Sequence, residues 1–292
     1  MLEGVQETIA GLAETVGGAV VGVGRRRHVG SGIVIDKDTV LTNAHNIHNH
    51  QVAITFGDGR RETGDVTGID SDGDIAVVSV ATGDVTPVAW GESSLALGSP
   101  VAALSNPGGR GLRVTVGYVS GIDRSFRGPR GRRIAGSIEH TAPLLSGSSG
   151  GPVVAADGRL LGINTNRLGE GFYLAIPANG ELRTKVDKLA AGEAPQRRYL
   201  GISVVPGHVA RKMRRAVGLA DASGVLVQGV VEDGPAVAAG IAEGDMIVKV
   251  GDHAVTNIDD LHDALDAVTL GKPFVLTVLR GAAELELTAT ID

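Results

Sequence analysis

The sequence contains no cysteine, and this absence excludes several kinds of chemistry. Without thiols the chain has no disulfides, no nucleophilic cysteine and no thiolate ligands for a metal ion. The absence does not fix the compartment, because proteins on either side of a membrane can lack cysteine.

Aromatic residues are few, and basic residues do not outnumber acidic ones. The chain has 1 Trp, 3 Tyr and 4 Phe, too few for a surface that stacks nucleic-acid bases. Its 27 basic and 33 acidic residues give a net charge of −6, so no broad basic surface is available for phosphates. An arginine-rich run over residues 124–133 is typical of a solvated loop. The composition therefore argues against a nucleic-acid-binding protein.

Long hydrophobic runs are also missing. No stretch of about 18 uncharged apolar residues occurs, so no segment is predicted to span a membrane. The first four residues lack the basic segment and apolar run of a signal peptide. We therefore expect a cytoplasmic location for the chain as it stands, and the cell envelope or periplasm if it is a processed form.

Glycine, by contrast, is abundant, with 44 residues among 292, which indicates a turn-rich globular chain. The length predicts about two domains. From residue 18 to about residue 176, short β-branched runs alternate with Gly, Asn and Asp, as in residues 19–23, 32–35 and 75–80. This pattern predicts an all-β region that is long enough for two barrels in tandem.

Three segments favour helices. Apolar residues recur at spacings of three and four over residues 1–17, which predicts an amphipathic helix that contacts the core or another subunit. Leu182, Val186 and Leu189 predict a second helix, followed by a linker over residues 191–198. The remainder, residues 199–292, mixes strands with a helix near 258–268 and is predicted to be an α+β domain.

One constellation carries chemistry. Residues 147–152 read Gly-Ser-Ser-Gly-Gly-Pro, and such glycines allow a tight turn that exposes a hydroxyl and aims N–H groups at one point. A nucleophilic serine also needs a base and a group that orients the base. His45 and Asp74 each stand at the edge of an apolar strand, and the order His, Asp, Ser is that of the chymotrypsin class.

Other interpretations of these residues are weaker. The turn also fits the nucleophile elbow of α/β hydrolases, but a strand rather than a helix is predicted to follow it. His45, His48 and His50 could be read as zinc ligands, yet no further ligand accompanies them. Residues 70–74 resemble the start of a calcium loop, but the glycine and glutamate that an EF-hand requires are absent. We predict no metal and no cofactor.

Several segments together resemble the HtrA (Deg) family of trypsin-like serine proteases with one C-terminal PDZ domain. The resemblance covers residue 18 to the end of the chain. The segments that carry it are residues 42–45 (Thr-Asn-Ala-His), 74–77 (Asp-Ile-Ala-Val), 147–152, 162–165 (Gly-Ile-Asn-Thr), 174–177 (Leu-Ala-Ile-Pro), 199–202 (Tyr-Leu-Gly-Ile), 234–236 (Gly-Pro-Ala) and 239–247.

The resemblance implies a fold and a set of site residues. It implies a mainly β fold, a chymotrypsin-like double β-barrel over residues 18–190 followed by an α+β PDZ domain over residues 199–292. Ser149 would be the nucleophile, His45 the general base and Asp74 its orienting group. The backbone N–H groups of Gly147 and Ser149 would form the oxyanion hole. The family usually has Asn before the nucleophile, where this chain has Ser148.

Substrate-binding residues follow from the same comparison. Trypsin-like specificity for Lys or Arg would need an acid six residues before Ser149, where this chain has Pro143. A pocket formed by Pro143, Leu144, Leu145 and Asn164 is therefore expected to take small to medium apolar side chains. At the PDZ domain, we expect C-terminal peptides to bind to Tyr199, Leu200, Gly201, Ile202, Leu261 and Leu265.

The expected function is that of a serine endopeptidase of protein quality control and stress response, which cleaves unfolded or misfolded proteins. The resemblance also implies a homotrimer. An alternative is a proteolytically silent chaperone or scaffold that binds peptides through the PDZ domain.

Overall fold

The computed structural model describes residues 2–25, 28–91, 95–128, 131–167, 171–193, 198–205 and 207–291. The chain divides into two compact units, Met1–Pro195 and Gln196–Asp292. Each unit has its own buried core and is described by itself. Half of the linker that the sequence predicts, residues 194–197, lies outside the described residues.

The first unit contains a closed barrel of six antiparallel strands with the order β1-β2-β3-β6-β5-β4. Its strands are rich in Val and Ile, because β-branched side chains pack well against the side chains of the neighbouring strands on a pleated sheet. Ile33, Leu41 and Ile54 are fully buried inside it. The six strands are β1 (Val20–Arg25), β2 (His28–Asp36), β3 (Thr39–Thr42), β4 (Gln51–Thr55), β5 (Arg61–Asp70) and β6 (Ile75–Ser79).

A second closed barrel follows in the same unit, with the order β10-β11-β12-β9-β8-β7. Leu104, Leu160 and Ile163 are fully buried and belong to the same core cluster as the first barrel. The predicted pair of barrels is confirmed. The six strands are β7 (Pro100–Ser105), β8 (Arg113–Arg127), β9 (Arg133–His140), β10 (Pro152–Val154), β11 (Leu160–Arg167) and β12 (Tyr173–Pro177).

Two helices pack on the barrels of the first unit, α1 (Leu2–Thr15) and α2 (Gly180–Ala190). The Asn179 side chain accepts the backbone N–H of Leu182 and so caps the first turn of α2. The three apolar residues that predicted α2 are buried, and the helix contacts β5 and β6.

The second unit is a twisted sheet with the order β13-β14-β15-β17-β18, and β16 pairs with β15. The helix predicted near residues 258–268 is present as α5, where the Asn257 side chain accepts the N–H groups of Asp259 and Asp260. The strands are β13 (Ile202–Val204), β14 (Val225–Val230), β15 (Met246–Val250), β16 (His253–Ala254), β17 (Phe274–Arg280) and β18 (Ala283–Ala289). The helices are α3 (Gly207–Ala216), α4 (Pro235–Ala238) and α5 (Ile258–Ala267).

Candidate active site

His45 and Asp74 are brought together by the pairing of β3 with β6. His45 lies in a single 3-10 turn just after β3, and Asp74 lies in the turn just before β6. Because Thr42 is paired with Ala76, the two turns emerge side by side from the same edge of the barrel. The ring Nδ1 of His45 is 2.9 Å from both carboxylate oxygens of Asp74. Their contact is therefore fixed by sheet register.

The carboxylate of Asp74 is buried and fully bonded. Its side chain is 1% exposed, whereas that of His45 is 34% exposed. Oδ1 accepts the backbone N–H of His45 at 3.1 Å, and Oδ2 accepts the hydroxyl of Thr165 at 2.6 Å. Asp74 has a left-handed backbone with φ of 56°, and Asn43 Nδ2 donates to its carbonyl at 3.0 Å. These bonds hold the carboxylate against Nδ1 and leave Nε2 of His45 as the available base.

The turn that carries Asp74 is anchored from its other end by Asp70. Lys185 of α2 lies 2.7 Å from the Asp70 carboxylate, which also accepts the backbone N–H groups of Asp72 and Gly73. Burial raises the pKa of Asp70, but the Lys185 ammonium and these N–H donors lower it by more, so the net pKa is below its ordinary value. Asp70 is therefore ionised, and its ion pair with Lys185 ties the turn to α2.

Ser149 and Ser148 lie in the turn between β9 and β10, in different environments. The Ser149 hydroxyl is partly exposed and donates to the carbonyl of Thr165 at 3.1 Å. Within the described residues, no hydrogen bond joins it to the ring of His45. The Ser148 side chain is 2% exposed, and its hydroxyl donates to Ser105 Oγ at 3.1 Å. Ser149 is the serine that faces solvent.

The backbone of the nucleophile turn leaves two donors free. Gly147 and Gly150 have φ of 86° and 88°. A Cβ on Gly150 would lie 2.0 Å from the carbonyl oxygen of Ser31, so only glycine fits there. In the part of the chain that the structure describes, the N–H groups of Gly147 and Ser149 donate no hydrogen bond. Two free N–H groups two residues apart are suited to bind an oxyanion.

A cleft of about 350 Å³ opens beside Ser149. Pro143 does not line it, because this residue lies at the exposed entry to the turn, where its carbonyl accepts the hydroxyl of Thr115. Asn164 does not line it either, because its side chain is fully buried. The lining residues are Leu144, Leu145, Ser146, Gly147, Ser148, Ser149, Thr165 and Tyr173.

Asn164 instead forms a brace beneath the nucleophile turn, together with a residue that the sequence analysis missed, His140. Asn164 Nδ2 donates to the carbonyls of Gly151 and Pro152 at 3.0 and 3.3 Å. Its Oδ1 accepts from Nε2 of His140 at 2.9 Å. Burial lowers the pKa of His140 to about 4, although the bond to Asn164 raises it in part. No motif marks His140, because its role depends on the pairing of β9 with β12.

No metal site is evident among the described residues, since no group of three or more His, Asp or Glu side chains could hold an ion. Two of the residues considered for calcium or zinc already have partners, Asp70 with Lys185 and His45 with Asp74.

The candidate peptide site of the second unit lies at β13, an edge strand that, among the described residues, pairs with β14 alone. Tyr199 is 55% exposed and precedes this strand. The N–H groups of Leu200 and Gly201 donate no hydrogen bond within the described ranges. Leu261 and Leu265 are buried in one core cluster with Leu200.

Two six-stranded barrels that carry His, Asp and Ser in this order define the chymotrypsin-like fold of serine proteases. The family model described as a trypsin-like peptidase domain matches residues 30–163, and the PDZ domain model matches residues 198–291.

The comparisons identify the family. HhoA from Synechocystis sp. is 34% identical over 276 residues, a match that covers 89% of this chain and 69% of that protein. A DegP-like periplasmic serine endoprotease from Halomonas elongata is 30% identical, with 91% of this chain and 56% of that protein covered. The crystal structure of the serine endoprotease from Yersinia pestis superposes with a TM-score of 0.74 at 28% identity, covering 97% of this chain and 96% of that one. The chain belongs to the HtrA family of trypsin-like serine proteases.

The chain spans 64% of the length of the Synechocystis relative HhoB and 56% of the Halomonas protein. Among the described residues, no helix has the length and hydropathy needed to cross a membrane.

Proposed function

We propose that this chain is a serine endopeptidase in which Ser149 is the nucleophile, His45 the general base and Asp74 the group that orients the base. The observation that carries the proposal is the contact of His45 Nδ1 with both oxygens of the buried Asp74 carboxylate. A buried carboxylate without hydrogen-bond donors would be costly, and here it accepts from the backbone N–H and ring Nδ1 of His45 and from the hydroxyl of Thr165.

Acylation begins with the transfer of the Ser149 proton to His45. In the resting arrangement the hydroxyl donates to Thr165, so it must first rotate about its Cα–Cβ bond towards Nε2 of His45. Oγ then attacks the scissile carbonyl, and the imidazolium that forms is stabilised by Asp74. The same imidazolium gives its proton to the leaving amine. Water repeats the sequence to release the acyl group.

The tetrahedral intermediate places negative charge on the former carbonyl oxygen. The free N–H groups of Gly147 and Ser149 are suited to donate hydrogen bonds to this oxygen, because neither has to give up an existing hydrogen bond. One such donor typically contributes about 2.7 to 4 kcal/mol to transition-state stabilisation.

We propose unfolded or misfolded proteins as substrates, cleaved after small to medium apolar residues. The cleft beside Ser149 is lined by Leu144, Leu145 and the ring of Tyr173, and none of its lining residues is charged. Such a wall favours substrates with an apolar side chain before the cleaved bond. Folded proteins bury most of these side chains, so an unfolded protein offers more of them to the cleft.

We propose that the second unit binds the C-termini of peptides at β13. An edge strand can accept a peptide as a further strand, and the free N–H groups of Leu200 and Gly201 are suited to a terminal carboxylate. A similar structure, 26% identical with a TM-score of 0.70, is that of the HtrA-type protease AlgW with a tripeptide.

We also propose a compartment and an assembly for this chain. The relatives from Halomonas elongata and Rickettsia prowazekii carry periplasmic in their names, so the cell envelope is the compartment we propose. For the assembly we propose a homotrimer.

Paired serine variants test the catalytic assignment. Ser149→Ala is expected to lower casein turnover by about 10⁴- to 10⁶-fold, because it removes the nucleophile. Ser148→Ala is the matched control, since it deletes the same atom one residue away and leaves a measurable fraction of the activity. A fluorophosphonate probe should label the wild-type chain at Ser149, as located to the residue by tandem mass spectrometry, and should still label the Ser148→Ala variant.

Three results would reject the assignment. They are an equal loss in both variants, labelling of Ser148, or a wild-type chain that binds unfolded protein without cleaving it or reacting with the probe. The last result would favour the silent chaperone.

A further inference from the structure

Ser31 belongs to β2 of the first barrel, yet its hydroxyl bonds only to loops of the second barrel. The side chain is wholly buried, with 0% of it exposed. Oγ donates to the carbonyl of Gly147 at 2.9 Å and accepts the backbone N–H of Asn106 at 3.0 Å. The single hydroxyl proton is therefore committed to Gly147, a residue 116 positions away in the chain.

Two further bonds run from the first barrel to the nucleophile itself. The backbone N–H of Ser31 donates to the carbonyl of Ser149 at 2.9 Å. Asn46 Nδ2 donates to the same carbonyl at 2.9 Å and to Thr42 Oγ1 at 3.0 Å. The Thr42 hydroxyl in turn donates to the carbonyl of Ser31 at 2.7 Å, which closes the network.

This network fixes two peptide planes around the nucleophile. The carbonyl of Gly147 is held by Ser31, and the N–H on the other side of that plane donates to Leu145 at 3.1 Å. The carbonyl of Ser149 is held by Ser31 and Asn46, and the N–H of the following residue donates to Asn164 at 2.8 Å. The N–H of Gly147 lies in the peptide plane before the first of these, and the N–H of Ser149 lies in the plane between the two. Each is joined to a fixed plane at a single Cα, so the bonds that hold the fixed planes restrict the directions of both N–H groups.

We propose that Ser31 is a positioning residue for catalysis: its hydroxyl holds the Gly147 carbonyl and thereby keeps the two free N–H groups aimed at the substrate oxyanion. The inference rests on the proposed peptidase function, because the oxyanion forms only in that reaction. Without the hydroxyl, the half-buried Gly147 carbonyl and the buried Asn106 N–H both lose this hydrogen-bond partner. The plane between residues 147 and 148 then rotates to recover a partner, because an unpaired buried group is unfavourable.

The test is Ser31→Ala, assayed with a short peptide substrate. We expect kcat to fall by about 10- to 100-fold, somewhat less than removal of an oxyanion donor itself, with KM changed by no more than about twofold. Ser137→Ala is the matched control, because Ser137 is also wholly buried but its hydroxyl has no hydrogen-bond partner in the described structure. Ser31→Cys restores a weak donor and should recover part of kcat.

A pair of inhibitors separates positioning from general loosening of the fold. A peptidyl boronic acid forms a tetrahedral adduct with an oxygen at the oxyanion position, whereas the same peptide without the boronic acid does not. Ser31→Ala should weaken the boronic acid by about the same factor as kcat and leave the plain peptide unchanged. Equal weakening of both ligands, an unchanged kcat, or the same loss in Ser137→Ala overturns the proposal. If the wild-type chain shows no cleavage and no fluorophosphonate labelling, it is the proposed function that fails.

Discussion

His140 is a neutral histidine in the interior of the second barrel. The side chain is 0% exposed and stacks on the ring of Tyr173, with ring centroids 5.9 Å apart. Nε2 carries the proton that Asn164 accepts, and Nδ1 has no partner in the described structure. A second proton would place a positive charge where burial has already lowered the pKa to about 4.

This environment predicts a loss of stability in mild acid. The pKa falls from 6.5 in the unfolded chain to about 4 in the folded one, so between these values the unfolded state binds more protons. The contribution of His140 is fully present above pH 6.5 and is lost as the pH falls towards 4, by about 3 kcal/mol in total.

Chemical denaturation at pH 7 and pH 4.5 checks the size of this effect. In a Ser149→Ala background, which prevents self-cleavage, His140→Gln should show a smaller decrease in unfolding free energy than the parent. His50→Gln is the control, since His50 is exposed and its replacement should leave the decrease unchanged. Identical pH dependence in all three proteins would show that His140 is not the group responsible.

At the scale of single residues, the sequence could predict only those contacts that neighbouring strands impose. His45 and Asp74 follow from their places at the ends of paired strands, β3 and β6. Ser31 and His140 carry no such signal, because each meets the nucleophile turn or its brace only once the barrels have closed.

At the scale of elements, apolar periodicity identified the longer helices that bury a stripe and missed α3, which does not, as well as the short α4. Leu182, Val186 and Leu189 mark α2, and all three are buried. α3 has basic residues through its second half, and only Ala210 and Arg214 are buried, so it has no apolar stripe to reveal it. α1 is intermediate, because Leu12, and Val16 just after the helix, enter the core whereas Val5 remains 44% exposed.

The exposed half of α1 leads to a prediction about assembly. Val5 lines an apolar groove of about 370 Å³ between α1, β7 and β8, to which Val116 and Tyr118 of β8 also contribute. Tyr118 is 62% exposed. If the proposed homotrimer forms through this groove, burial of each such side chain contributes about 1.5 to 3 kcal/mol.

Light scattering of the purified chain and of two variants checks this interface. The double variant Val5→Asp and Tyr118→Asp should be monomeric at concentrations where the wild type is trimeric. Leu97→Asp, which changes a residue that is 66% exposed and does not line the groove, should leave the mass unchanged. A monomeric wild type would contradict the trimer, and a trimeric double variant would exclude this groove as its interface.

At the scale of the whole molecule, the order of motifs was enough to predict two barrels and a following PDZ domain, because each motif occupies a fixed place in such folds. The substrate cleft was predicted less well. Leu144 and Leu145 line it, but Asn164 does not, because its buried side chain donates to the carbonyls of Gly151 and Pro152 beneath the nucleophile turn. Which side chains meet the cleft depends on how the barrel closes.

We expect peptide binding at the second unit to change the catalytic activity of the first. A peptide with a free C-terminal Val, Leu, Phe or Ala should bind the second unit by strand addition at β13. The amidated peptide should bind at least about tenfold more weakly, since a hydrogen bond to a charged group contributes about 1.5 to 3 kcal/mol. If binding shifts the equilibrium between resting and active arrangements of Ser149, the free-acid peptide should also change turnover of a separate reporter substrate.

Two glycine variants of the second unit make the comparison specific. Gly201→Glu and Gly218→Glu introduce the same charge at similar backbone conformations, with φ of 80° and 76°. Only Gly201 adjoins β13, so only its variant should lose both peptide binding, measured by fluorescence anisotropy, and the change in reporter turnover. Binding that survives amidation would mean that no carboxylate is recognised. Loss of binding without any change in the peptide's effect on turnover would mean that the reporter responds to the peptide at the protease cleft itself.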